Sequence, residues 1–467
     1  MSNPFSLLPL ALAAHGGRVD EFPTEQLVAA GLTLLQRSAT LVRALSGKRS
    51  AILLPTSPQF LVALAASEGR GAVLLNPLAS RPEIAHQLRD ANVGAVLTNS
   101  ALAKHLPEGT THALLDEAPR AAHVISGKQA KDVDLGSHHG LSVEGESDTP
   151  GSDDEAVIVY TSAMAGTPLG AILTHRNLLA NARWTQAAAA NTSDDRVLAL
   201  LPFAHLFGLT VTAGSPLLAG GRIITMPRFS AARAAELIAA GDITEVVGVP
   251  AVFRALLSSI ERAGLSPANS RGALRLCICG GSPLSMELQD RWFDATGVEM
   301  RQGYGLTEAA PVCLFNRVDR PNVRGALGVP FPNAEVRLGD DQEILVRGDN
   351  VFAGYVSNGE NGLTVRDGWL HTGDRGRTSE HDTIAFDGVI KPMFTRNGFN
   401  IYPRELELAV RERPGVDEAQ VSPNEQADRE TEIVLTYRGS ATVEDVRAWC
   451  LARLSAYKQP SVILRDG

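Results

Sequence analysis

The stretch Val157–His175, VIVYTSAMAGTPLGAILTH, constrains this chain more than any other. A β-branched run, Val157, Ile158 and Val159 followed by Tyr160, enters a loop of hydroxyls and small residues. That loop leads into a second short apolar run, Ala171–Leu173. Strand, loop and strand in this order gather backbone N–H groups and hydroxyls around one point, which suits a bound phosphate. Read alone, the stretch also fits a surface hairpin turned by a Gly and a Pro. Its surroundings are more telling. Ser50–Leu54, Gly71–Asn76 and Val93–Thr98 read as strands, and between them helices begin near Pro58 and span Arg81–Ala91. Such alternation predicts an α/β fold, a parallel sheet with helices on its faces.

Five more motifs follow in order: LPFAHLFG (201–208), CGGSPLS (279–285), GYGLTE (303–308), HTGD (371–374) and RNGFNIYPRELE (396–407). Together they resemble the acyl-activating adenylate-forming family, which includes acyl- and aryl-CoA ligases, luciferases and the adenylation domains of peptide synthetases. The resemblance runs from near Leu7 to about Ile463. It implies a large N-terminal domain, residues 1–386, with helix-flanked sheets and a β-rich subdomain around Asn333–Tyr355. It also implies a small, mobile α+β C-terminal lid, residues 387–467, that turns about Gly388–Pro392. The implied chemistry joins a carboxylic acid to AMP from ATP, with Mg2+, and passes the acyl group to a thiol of CoA or phosphopantetheine. Two alternatives stand beside it. One is an ATP-independent acyltransferase between acyl-CoA and an acyl carrier protein, and the other a non-catalytic ligand-binding relative.

Carried onto this chain, the resemblance places the nucleotide against Thr161, Ser162, Gly166, Gly280, Gly281, Gly303, Tyr304 and Gly305. Thr307 would contact the α-phosphate and Glu308 would bind the metal, since a triphosphate needs a hard cation with oxygen ligands. Asp374 would accept hydrogen bonds from both ribose hydroxyls, a task suited to a carboxylate. His205 would lie between the phosphates and the acyl pocket, although a core His with one hydrogen bond also fits. Ala204, Leu206, Phe207 and Ala309 would border the acyl group, Lys391 would act at the hinge, and Gly398 would enter the site during thioester formation. Fatty, aryl and amino acids all stay open as substrates, and amino acids are the least favoured because no Asp stands where it would anchor one.

The chain departs from the family pattern at charged positions. Ala163 stands for the first loop Gly, Ala165 for a hydroxyl, Leu169 for the loop Lys, and Val389 for an Arg. Lys458 matches a Tyr-Lys-x-Pro motif, and no Gly-Lys follows it in this sequence. Displacement at phosphorus depends on positioning and charge neutralisation, and losing one such donor costs on the order of 10²–10³ in rate. Slow adenylation is therefore expected.

A net charge of −9 gives no general attraction to nucleic acid or anionic membrane. Cys277, Cys279, Cys313 and Cys450 are too few and too irregular for a disulfide framework or a zinc site. Buried thiols and a reducing, cytoplasmic setting are expected. The opening MSNPFSLLPLALAAHGG has no basic start and reads as a first helix, and no window is long enough to span a membrane. Residues 1–45 read as helices. Residues 127–155, rich in Gly, Ser, His and acids, read as a solvated connector with His138 and His139 exposed.

Overall fold

Runs such as Ala51–Leu54 and Val157–Val159 are apolar at every position, the pattern of strands covered on both faces. A computed structural model describes residues 8–67, 70–136, 152–161, 168–265, 273–332, 334–357, 365–390, 393–396, 399–424 and 431–466. Among these residues two nine-stranded sheets dominate. In the first, Leu169–Thr174, Glu155–Thr161, Ala72–Leu74, Arg49–Leu53 and Val93–Thr98 lie side by side. Thr161 pairs directly with Leu169, so the two ends of the phosphate-loop segment meet next to the short edge strand Gly354–Tyr355.

The second sheet runs Met300–Gly305, Leu276–Cys279, Glu245–Gly248, Arg196–Ala199 and Arg222–Thr225, all mutually parallel. The segments leaving Ala199, Cys279 and Gly305 all start from carboxyl ends of strands, where open α/β sheets take ligands. Helices Pro250–Ala263 and Met286–Thr296 cover one face through Phe253 and Trp292, whose rings meet edge-on at 4.9 Å. Cys277, Cys279 and Cys313 are free, buried thiols in this sheet, and burial raises their pKa.

A smaller five-stranded sheet follows, built on Ala334–Leu338, Glu343–Gly348 and Trp369–Thr378. Its strand Ile384–Val389 pairs Val389 with Asp374. The C-terminal part has its own core of Leu406, Val410, Ile433, Leu435, Tyr437 and Val446. It contains a hairpin (Phe394–Arg396, Phe399–Ile401), helix Pro403–Arg411, and a three-stranded sheet closed by Val462–Arg465.

Three expectations need correction. Residues 1–45 are not all helical: Arg18–Val19 and Phe22–Pro23 form short strands between helices Leu8–Ala13 and Thr24–Arg37. The run Val246–Pro250 is a strand only to Gly248, because Pro250 opens the next helix, a position that tolerates its missing N–H. The connector 127–155 contains a strand, Gln129–Asp134, antiparallel to Ala121–Ser126 at the far edge of the first sheet. Val133 is its one buried residue, and a solvated edge strand carries a loop-like composition. His138 and His139 lie outside the described residues.

One buried charge sets a pH dependence. Arg275 gives its fork to Asp195, at 2.5 Å for the shorter bridge, and stays 3.9 Å from Glu245. Glu245 is fully buried and receives one bond, from Asn191 Nδ2 at 2.6 Å, while its Oε1 has no partner. Burial, opposed by Arg275, raises its pKa from 4.5 to about 7. The stabilising contribution of the protonated form is complete below pH 4.5 and is lost as pH rises through 7. Glu245→Gln is expected to stabilise the protein by up to about 3 kcal/mol at pH 8 and far less at pH 5. Denaturant unfolding at the two pH values checks this; an equal effect at both would contradict it.

Candidate active site

The strand Met300–Gly305 delivers the GYGLTE motif and turns sharply into the short helical turn Thr307–Ala309 before returning as Val312–Phe315. The turn closes so tightly that a Cβ on Gly305 would lie 1.8 Å from the Pro311 carbonyl oxygen, so only glycine fits. Glu308 is thereby buried and carried to the edge of the first sheet. Its Oε1 accepts from Tyr355 OH at 2.8 Å and Thr161 Oγ1 at 3.3 Å, and its Oε2 accepts no hydrogen bond from the described residues.

Tyr304 donates its hydroxyl to Asp374 Oδ2 at 2.7 Å. Burial, and then the Asp374 carboxylate, raise the phenol pKa well above its usual value, so this proton stays on Tyr304. Asp374 itself is held by a brace that sequence reasoning missed. Glu343 accepts from the Gly373 N–H at 2.8 Å and pairs with His371 Nδ1 at 2.7 Å, fixing the HTGD turn.

LPFAHLFG lies where Arg196–Ala199 gives way to a wide, π-type helix, Phe207–Gly214. A Cβ on Gly208 would stand 2.1 Å from the Pro202 carbonyl oxygen, which explains that glycine. The Phe207 N–H donates to His205 Nδ1 at 3.2 Å. Burial lowers the His205 pKa to about 4, so the ring is neutral at pH 7 with its proton on Nε2. Nitrogen-15 NMR between pH 5.5 and 8 is expected to show that single tautomer; a midpoint near 6.5 would overturn it.

These groups surround three adjoining cavities. The first, about 90 Å³, is lined by Thr185, His205, Phe207, Gly280, Gly303, Thr307 and Phe331, among others. The second, about 140 Å³, opens between the two domains and is lined by Thr161, Ala204, His205, Thr307, Glu308, Tyr402 and Lys458, among others. The third, about 280 Å³, lies against Gly281, Gln302, Tyr304, Asp374 and Val389. His205 and Thr307 line both the first and second cavities, and Tyr304 and Gly305 line the first and third. Asn400, from the C-terminal hairpin, and Leu306 reach all three. Leu206 and Ala309 are fully buried and line none of these three cavities. Ser162, Gly166, Lys391 and Gly398 lie outside the described residues.

Comparison with known proteins adds identity to this geometry. Residues 36–356 match the model of the AMP-binding enzyme family. The chain belongs to that family. A feruloyl-CoA synthase from Amycolatopsis sp is 31% identical over 438 residues, covering 89% of this chain and 84% of the relative. A long-chain-fatty-acid–CoA ligase from Bacillus subtilis (strain 168) is 28% identical over 460 residues, covering 89% of this chain and 81% of the relative. A malonyl-CoA ligase, solved as a ternary product complex with methylmalonyl-CoA and AMP bound, superposes with a TM-score of 0.80. It is 25% identical, and the match covers 100% of this chain and 99% of that one. This AMP-binding enzyme is thus of the acyl-CoA ligase kind, with a large sheet-rich N-terminal domain and a smaller C-terminal domain. Among its described residues, no helix is long and apolar enough to cross a membrane.

Proposed function

We propose that the protein activates a carboxylic acid with ATP as an acyl-adenylate and then transfers the acyl group to the thiol of CoA. The observation that carries this reading is the shared wall His205–Thr307 between the first two cavities, with Tyr304 and Asp374 beyond it. In this reading the first cavity takes the acyl group, the third the nucleoside, and the second the pyrophosphate and later the thiol arm. Tyr304 and Asp374 form a polar edge for the ribose, while neutral His205 presents its Nε2–H where the carboxylate meets the phosphate. Asn400 brings the C-terminal hairpin to the junction, which suits thioester formation. Residues 387–467 act in this reading as a lid that turns between the two half-reactions.

Glu308 Oε2, which accepts no hydrogen bond from the described residues and lies beside a phosphate-sized space, fits Mg2+, which commonly takes one or two carboxylates plus substrate phosphates. Among the described residues no cluster of three or more His, Cys, Asp and Glu could hold a metal without such phosphates. When bound, the ion would neutralise charge on the phosphates. Glu308 would hold it, and Thr161 and Tyr355 would orient Glu308.

Adenylation is the slower half-reaction in this proposal. Leu169 is buried opposite Thr161, and Val389 lines the nucleoside cavity where a guanidinium would reach a phosphate. Lys458 is the one cation among the described residues lining the three cavities, and it is bound to Glu83 and Glu405. That shortage of cations supports a second reading, acyl transfer between acyl-CoA and a carrier protein without ATP. Isotope exchange between pyrophosphate and ATP, screened over aryl and fatty acids, tests the proposal. Acid-dependent exchange supports it. No exchange with any acid, together with ATP-free acyl transfer from acyl-CoA to a carrier thiol, would replace it with the second reading.

A further inference from the structure

The strand that carries HTGD is interrupted where it passes Glu343. Leu345 of strand Glu343–Gly348 lies opposite His371, and Glu343 lies opposite Arg375. Thr372, Gly373 and Asp374 therefore bulge out against Ile344 alone. A bulge bends its strand and re-aims a side chain, and this one brings Asp374 to Tyr304 and the third cavity. Because the ladder is broken there, side chains answer its backbone. The Thr372 hydroxyl donates to the Ile344 carbonyl at 2.8 Å and accepts from the Asp374 N–H at 3.2 Å. Glu343 takes the Gly373 N–H at 2.8 Å on one oxygen and pairs with His371 Nδ1 at 2.7 Å on the other. The ladder resumes where the Gly376 N–H donates to the Gln342 carbonyl at 2.9 Å.

The Gly373 carbonyl is engaged as well. It accepts from the Ile390 N–H at 2.8 Å, and beside it Asp374 pairs with Val389 across the sheet. Gly388 and Val389 line the third cavity together with Asp374. The backbone that leads toward the C-terminal part is thus bonded to the residue next to the proposed ribose carboxylate. Gly373 is held twice: its N–H by a carboxylate, and its C=O by the segment that runs on past Ile390. Without Glu343 the Gly373 N–H would lose its acceptor and the bulge its anchor. A misplacement of about 1 Å in a positioned group can cost on the order of 10² in rate.

We infer that Glu343, backed by His371, is a positioning residue that sets Asp374 for the nucleoside and, through Gly373, ties nucleoside occupancy to the hinge backbone at Ile390. A nucleoside on Asp374 stiffens the bulge, and the stiffened Gly373 carbonyl holds the Ile390 N–H. An empty site lets the two loosen together. This inference rests on reading the third cavity as the nucleoside site and residues 387–467 as the lid.

The test is calorimetric binding of AMP to the wild type, Glu343→Ala and Glu343→Gln. Amide exchange at Ile390 is followed alongside by NMR in protein labelled with nitrogen-15 isoleucine. Alanine is expected to weaken AMP roughly tenfold or more, because the Gly373 N–H loses a charged acceptor. Glutamine keeps an acceptor there and should recover affinity to within about threefold of the wild type. In the wild type, AMP at about a hundred times its Kd should slow exchange at Ile390 roughly tenfold or more. That last measurement needs no variant, so it decides the coupling even where the alanine protein fails to fold. Unchanged AMP affinity in the alanine protein, glutamine no better than alanine, or Ile390 exchange indifferent to bound AMP would each overturn the inference and leave the nucleoside reading standing. No AMP binding by the wild type would sink that reading and the inference with it.

Discussion

Glu308→Gln is expected to lower acyl-adenylate formation by roughly 10²–10³-fold without unfolding the protein. The argument turns on which oxygen does what. Oε1 already receives the Tyr355 and Thr161 hydroxyls, and a glutamine carbonyl keeps both bonds. Only the charge and the open Oε2 are lost, and these are the features proposed for holding Mg2+ on the phosphates. The loss should therefore appear in pyrophosphate–ATP exchange, while transfer from a supplied acyl-adenylate to CoA changes far less. Exchange at the wild-type rate in the glutamine protein would remove Glu308 from the proposed mechanism.

The second large effect is expected at Lys458, which sits 4% exposed between the domains. Its ammonium bonds Glu405 at 2.5 Å, within the C-terminal part, and Glu83 at 3.1 Å, across the interface. Burial works against its charge, but Glu405, Tyr457 and Glu83 outweigh that and raise its pKa. Burial likewise disfavours the Glu83 carboxylate, yet Lys458 and the Ser455 hydroxyl bring its pKa below the usual value. Lys458→Met would strand two carboxylates together, a loss of about 3–5 kcal/mol by analogy with other broken buried pairs. Protonation would relieve the stranded acids, so the deficit should be largest at pH 8 and smaller near pH 5. Glu83→Gln should disturb the C-terminal core by only about 1 kcal/mol, because Glu405 still answers the ammonium. Native-state hydrogen exchange in helix Pro403–Arg411 reads both variants. Unchanged protection at pH 8 in the methionine variant would refute this account.

Much of this architecture was legible because its signals are local. Continuous apolar runs marked the strands of both large sheets, and the order of short motifs marked the loops that leave their carboxyl ends. GYGLTE and HTGD, seventy residues apart in sequence by their tyrosine and aspartate, meet through the Tyr304–Asp374 bond. What stayed hidden depends on partners distant in the chain. Nothing around Tyr355 hints that its hydroxyl holds Glu308, and nothing around Glu343 hints at the turn it braces. Asn400 was visible only as a polar residue between Phe399 and Ile401, a weak sign that it faces a cavity. The strand Gln129–Asp134 was missed for a different reason: burial is what makes a strand look apolar, and this one is buried only at Val133.

That same strand has a consequence for how copies of the molecule behave toward each other. It terminates a nine-stranded sheet, and its outer backbone groups are a ready template for a strand from another chain. Lys131, Asp132 and Asp134 are exposed along it, so any incoming strand must bring its backbone past a row of hydrated charges. The large sheet thereby resists growing from molecule to molecule into a fibrous array, and the safeguard sits at the opposite edge from the phosphate-loop strands, where it constrains no catalytic residue.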